Sequence, residues 1–103
     1  MAKACSLPNP IARLSGDGIA GPLLFQDHID VVPSNPERWQ HPPFGGDLVD
    51  GFLWGWGSLD MKSDIAMMLH AILRATTGGT TSAGDIVLAL VSDEESGGDQ
   101  GGH

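Results

Sequence analysis

The stretch Asp85-Ile86-Val87-Leu88-Ala89-Leu90-Val91-Ser92 decides the fold. It is a continuous apolar run of strand length, the pattern of an inner strand covered on both faces. Upstream of it, Ile65, Met68, Leu69, Ile72 and Thr76 fall at i, i+3, i+4, i+7 and i+11, which is one face of a helix from Met61 to about Thr76. Gly78 and Gly79 follow as a stop signal. Earlier still, Pro22 to Ile29 is a second apolar run of strand length. Strand, helix and strand in that order predict a βαβ unit with a right-handed crossover. The fold class is therefore α/β, with a mainly parallel sheet flanked by helices.

Outside this unit the signals are local. Ile11 to Leu14 reads as a short strand and Ser15-Gly16-Asp17-Gly18 as a turn, so this strand and the run from Pro22 suggest an antiparallel pair that feeds His28. Residues Val31 to Phe44 are rich in Pro and carry Trp39, the composition of a long ordered loop. Asp47-Leu48-Val49-Asp50-Gly51-Phe52-Leu53-Trp54 reads as a hairpin, because Asp-Gly between apolar residues favours a type I′ turn. Met1 to Pro10 has little periodicity, and Ser96 to His103 is rich in Gly.

With 103 residues, one core is the ceiling. Thirteen acidic residues against five basic ones give a net charge of −8, which argues against a nucleic-acid partner. No run approaches the ~20 apolar residues of a membrane span, and no secretory signal is visible near Met1, so the expected compartment is the cytoplasm. Cys5 stands alone, which excludes an internal disulfide.

The acidic residues are not evenly spread. His28 and Asp30 close one apolar run, Asp60 precedes the helix, and Asp93-Glu94-Glu95 follows the decisive strand. Imidazole and carboxylates at strand ends sit where α/β proteins build their sites, and they suit zinc and similar divalent ions. Asp60 is also a residue type that caps helices, and that role is compatible with metal binding. By contrast, His41 and His70 read as structural or exposed side chains.

In order, the chain carries Asp27-His28-Ile29-Asp30-Val31-Val32-Pro33, Trp39-Gln40-His41-Pro42-Pro43-Phe44, Asp50-Gly51-Phe52-Leu53-Trp54-Gly55-Trp56-Gly57-Ser58-Leu59-Asp60-Met61-Lys62 and Asp93-Glu94-Glu95-Ser96-Gly97-Gly98. This string resembles the di-zinc metallopeptidase family of carboxypeptidases, aminoacylases, acetylornithine deacetylase and succinyl-diaminopimelate desuccinylase. The resemblance implies that His28 ligates one metal, Glu95 the other, and that Asp60 bridges both. It implies that Asp30 holds the His28 ring through its second nitrogen, that Glu94 is the general base, and that the Asp60–Met61 peptide is cis. Two Zn2+ ions would occupy the complete site, with Co2+ or Mn2+ as alternatives. The implied substrate is a small peptide or an N-acyl amino acid, and the implied assembly of the parent protein is a homodimer.

The same resemblance makes residues 1–103 a single partial catalytic domain. The family's inserted dimerisation and lid domain and the C-terminal part of its catalytic domain are not in this string, which leaves two protein ligands per metal. The family usually has Gly where Asp27 stands and Arg where Trp56 stands. The expected function is metal-dependent hydrolysis of peptide or N-acyl amino-acid amide bonds. The competing expectation is a non-catalytic truncated remnant that at most binds divalent cations weakly.

Overall fold

The computed structural model describes residues 8–97, so the expectation attached to Cys5 lies outside the described residues. The decisive run forms β5, Ile86–Val91, and it occupies the centre of a three-stranded sheet in the order β1-β5-β2. Strand β2, Leu23–His28, runs parallel to β5 in the register Leu23↔Ile86 through His28↔Val91. The other neighbour is β1, Ile11–Leu14, which runs antiparallel to β5 from Ile11↔Ala89 to Leu14↔Ile86. The central place of β5 accounts for its unbroken apolar pattern.

Two expectations are corrected here. The sheet is mixed, with one parallel and one antiparallel pairing, and is not mainly parallel. Nor do β1 and β2 form an antiparallel pair with each other, because β5 lies between them. The physical reason lies in the connection after β1. The Asp17 amide donates to the Ser82 carbonyl at 2.8 Å, and the Ile19 and Ala20 amides donate to the Ala83 carbonyl at 2.8 and 2.9 Å. Arg13 also pairs with Asp85, whose Oδ1 accepts the Gly16 amide at 2.8 Å. These bonds tie the connection to the entry of β5 and lead β1 along its outer edge.

Between β2 and β5 the chain makes a loop, a hairpin and a helix. The hairpin pairs β3, Asp47–Val49, with β4, Phe52–Trp54. Asp50 at φ 51 and Gly51 at φ 82 supply the two left-handed residues that a type I′ turn requires. The helix α1 spans Ser63–Thr77, so it begins two residues later than its periodicity suggests. The preceding Ser58–Lys62 is a wide turn in which Asp60 (φ −121, ψ 95) and Met61 (φ −138, ψ 35) leave helical geometry, and the Asp60–Met61 peptide is cis. Asp60 therefore does not cap α1. The far end closes as expected: Gly79 adopts φ 74, its amide donates to the Thr76 carbonyl, and the Thr80 amide donates to the Ala75 carbonyl, a Schellman arrangement.

Apolar burial is thin. Among the described residues, Ile65 of α1 and Leu88 of β5 are the buried large apolar side chains, whereas Leu23, Leu24, Leu48 and Leu73 are more than half exposed. The buried polar residues are Asp27, His28 and Ser92, all at the C-terminal ends of β2 and β5. Buried charge in so lightly covered a fold needs a reason other than packing.

Candidate metal centre

The parallel pair β2 and β5 delivers the chain's ligand-type residues to one edge. His28 is the last residue of β2 and stands opposite Val91, the last residue of β5. The Ile29 amide donates to the Val91 carbonyl at 2.9 Å, which carries the two segments onward side by side. Beyond β5, the Ser92 amide and hydroxyl both donate to the Asn9 side-chain carbonyl at 2.9 Å. Asp93 then adopts φ 67 and turns the chain into Glu94 and Glu95.

Asp30 joins the two segments. Its Oδ2 accepts the Glu95 amide at 2.9 Å, and its backbone carbonyl faces His28 Nδ1 at 3.1 Å. A carbonyl can only accept, so Nδ1 carries the ring hydrogen, and Nε2 points at the carboxylates. Asp60 Oδ1 lies 3.3 Å from Nε2 and Glu94 Oε2 lies 3.9 Å from it. Burial pushes the Asp30 carboxyl up, but the Glu95 and Glu94 amides and the His28 charge outweigh it and hold its pKa below the usual carboxylate value. Burial likewise opposes protonation of His28. The Asp30 carbonyl, the Asp60 carboxylate and the charges of Glu94 and Asp30 prevail, so its pKa is raised. Asp27, beside it, is pushed up by burial first and by the Asp64 charge second, with His28 pulling the other way.

These residues fit a divalent cation. A neutral His28 would present the Nε2 lone pair to two carboxylates, an arrangement that calls for a positive charge between them, supplied by a proton or by a metal. One ligand atom each from His28, Glu94 and Glu95 lies within 4.8 Å of the others. Atoms bound to one zinc at about 2 Å stand at most ~4 Å apart, and His28 Nε2 and Glu94 Oε2 already meet that limit at 3.9 Å. Two buried carboxylate oxygens, Asp27 Oδ2 and Asp30 Oδ1, have no hydrogen-bond partner, and Asp30 Oδ1 is 3.6 Å from His28 Nδ1. This edge carries more negative charge than its own hydrogen bonds satisfy.

All five residues singled out from the sequence thus lie on this edge. The distances join Asp60 to His28, Asp30 to His28 and Glu95, and His28 to both Glu94 and Glu95. Asp60 and Glu95 also line one cavity of about 400 Å³, whose walls include Leu53 and all three tryptophans, Trp39, Trp54 and Trp56. Sequence reasoning did not find the Asp30 bond to the Glu95 amide or this aromatic wall. The clustering of Trp in the segment from Trp39 to Trp56 was the available signal for the second. His41 is structural, as expected: its ring packs on Trp54 with centroids 4.7 Å apart, and Nδ1 lies 3.8 Å from Asp47. His70 is exposed on α1.

The family described as Peptidase family M20/M25/M40 matches residues 24–103. The chain is 40% identical over 96 residues to a succinyl-diaminopimelate desuccinylase of Paracoccus denitrificans, covering 92% of this chain and 25% of the relative. Proteins of the same name from an Azoarcus species and from Methylorubrum extorquens are 49% identical over 80 residues and 45% identical over 93, with 21% and 23% of their lengths covered. The chain therefore spans about a quarter of the length of the curated relatives it matches.

Proposed function

The chain belongs to peptidase family M20/M25/M40, and from that membership we propose that it carries part of the site of a metal-dependent hydrolase acting on peptide or N-acyl amino-acid amide bonds. The observation that carries this reading is His28 Nε2 turned toward Asp60 and Glu94 at 3.3 and 3.9 Å while Nδ1 is occupied by Asp30. A histidine fixed in this way offers one nitrogen to a cation and keeps the other for its support.

In this reading His28, Asp60 and Glu95 are the residues that would hold zinc. Bound zinc would polarise the scissile carbonyl and acidify a water molecule. Glu94 accepts the proton of the attacking water and passes it to the departing amine, a transfer that needs a carboxylate beside the ligands but not committed to them. Asp30 keeps the His28 ring in the Nδ1–H form and anchors the turn that presents Glu94 and Glu95. The acidic edge also disfavours a polyanionic partner. Among the described residues, no helix is long and apolar enough to cross a membrane.

Calorimetric titration of the 103-residue chain with zinc, followed by an amidase assay on N-acyl amino acids, tests the reading. We expect measurable but loose uptake, because two protein ligands per metal fall short of the usual three. Tight uptake of two zinc ions with turnover would make further ligands dispensable. Weak uptake without turnover in any chain containing these residues would favour the second reading, a non-catalytic cation-binding remnant. Absence of uptake would end the metal-dependent reading and leave the remnant.

A further inference from the structure

We infer that Trp56 is a positioning residue. Its indole N–H, together with the bare face of Gly57, docks the turn that carries Asp60 onto the segment after Asp30, and so brings Asp60 to His28. The role of Asp60 as a metal ligand rests on the hydrolase reading, whereas the docking does not.

Asp60 needs such a device. Its side chain is 76% exposed, and among the described residues its carboxylate meets one group, His28 Nε2 at 3.3 Å. Packing therefore does not fix the carboxylate, and the backbone of the wide turn Ser58–Lys62 sets its place. Two bonds close that turn on itself. The Ser58 amide donates to the Gly55 carbonyl at 3.1 Å, and the Lys62 amide donates to the Gly57 carbonyl at 2.9 Å. Bonds of this kind fix the shape of the turn but not where it lies against the end of β2.

Trp56 supplies the attachment to the rest of the chain. Its indole N–H donates to the Val32 carbonyl at 2.6 Å, and its backbone amide donates to the Pro43 carbonyl at 2.6 Å. Val32 lies in the segment that leaves β2 behind His28 and Asp30. The ring itself is steadied by Trp39, edge to face, with centroids 5.5 Å apart and planes at 89°. Beside it Gly57 adopts φ 79, and a β-carbon there would stand 2.5 Å from Val31 Cγ1 and 2.9 Å from Lys62 Nζ. The missing side chain is what lets the turn close on Val31. One segment thus presents His28 and Asp30, and Trp56 and Gly57 clamp the Asp60 turn onto it. The family usually has Arg where Trp56 stands, so attachment through an indole is a property of this chain.

A double-mutant cycle on the 103-residue chain, read as zinc affinity by calorimetry, tests the role. Trp56→Phe keeps an aromatic ring and removes the N–H. It should weaken zinc roughly 10-fold, within the range for losing the outer support of a ligand. In an Asp60→Asn background the same substitution should change affinity by less than about twofold, because the carboxylate it positions is already gone. A merely structural loss would lower affinity by the same factor in both backgrounds. Hydrogen exchange on the metal-free chain gives a second readout. In Trp56→Phe the Ser58 and Lys62 amides should lose protection while those of β5 keep theirs. Trp56→benzothienylalanine, which exchanges the N–H for sulfur in a ring of the same shape, takes over if Trp56→Phe does not melt cooperatively. Unchanged zinc affinity, an equal loss in both backgrounds, or turn amides that keep their protection or lose it together with β5 overturns the proposal. If the parent chain takes up no zinc, the hydrolase reading fails by itself and the exchange result decides the docking.

Discussion

The Oδ2 of Asp30 accepts the Glu95 amide at 2.9 Å, across 65 residues of sequence. The same residue presents its backbone carbonyl to His28 Nδ1 at 3.1 Å. One aspartate thereby sets the tautomer of a candidate ligand on β2 and fixes the turn after β5 that carries the others. Because the Glu95 and Glu94 amides overcome the effect of burial, the pKa of the Asp30 carboxyl lies below the ordinary aspartate value.

Replacing Asp30 with Asn should loosen zinc by roughly 10–100-fold, the usual cost of removing a supporting carboxylate behind a metal histidine. The amide can still accept the Glu95 N–H and the backbone carbonyl still faces His28 Nδ1, so Asp30→Asn loses only the charge beside the ring, whereas Asp30→Ala should also lose the anchor of the turn and bind less zinc still. Calorimetry on the two variants checks the order. Equal affinity in Asp30→Asn and the parent chain would remove Asp30 from the site.

Zinc binding should stabilise the fold through the residues it joins. A cation that binds only the folded state at 100 times its dissociation constant contributes about 2.7 kcal/mol. Thermal melts with and without excess zinc should differ accordingly, and His28→Ala should abolish the difference. A shift that persists in His28→Ala would locate the ion elsewhere.

Asp85 gives the pH dependence of the β1–β5 edge. The Gly16 amide and the Arg13 guanidinium lower its pKa from the ordinary aspartate value. A carboxyl with a depressed folded-state pKa contributes stability that is present above its unfolded pKa and is lost as pH falls through the folded one. Urea midpoints should therefore decline on acidification below the ordinary aspartate range, and Asp85→Asn should flatten that part of the decline.

Gly84 is a steric requirement of the same edge. A β-carbon there would stand 2.2 Å from the Gly21 carbonyl oxygen and 2.8 Å from that of Ala20, and backbone atoms cannot swing aside. Gly84→Ala should destabilise the chain by about 1–3 kcal/mol, the range for forced overpacking, read as a lower urea midpoint at unchanged slope.

What the sequence displayed was what local pattern controls. The unbroken apolar run placed β5 in the interior, Asp50-Gly51 announced the hairpin, and Gly78-Gly79 marked the helix end. The first two residues assigned to the helix, Met61 and Lys62, belong instead to the wide turn at Asp60, whose geometry no period of 3.6 can register. The pairing of β1 with β5 was hidden because it depends on contacts between residues about 70 apart, such as Arg13 with Asp85. The same holds for the site. Residue types at strand ends nominated His28, Asp30, Asp60, Glu94 and Glu95, but the approach of Asp30 to the Glu95 amide exists only once β2 and β5 lie parallel.

Glu94 is the sharpest test of the proposed chemistry. Its Oε2 is 3.9 Å from His28 Nε2 and its side chain is 56% exposed, so it can reach either a cation or a water beside one. A ligand and a base answer differently to the same substitution. Glu94→Gln keeps the shape of the side chain and an oxygen that can still face a cation, but it cannot accept a proton at neutral pH. If Glu94 is the base, a chain that hydrolyses N-acyl amino acids should retain its zinc content in Glu94→Gln and lose about 10²–10⁴ in turnover, the share commonly supplied by general acid–base catalysis. KM should change little, because the substitution removes proton transfer and not substrate contact. Loss of zinc in parallel with activity would make Glu94 a ligand together with His28 and Glu95, whose donor atoms it already approaches within 4.8 Å. Full activity with full zinc would assign the proton transfer to another carboxylate of this edge.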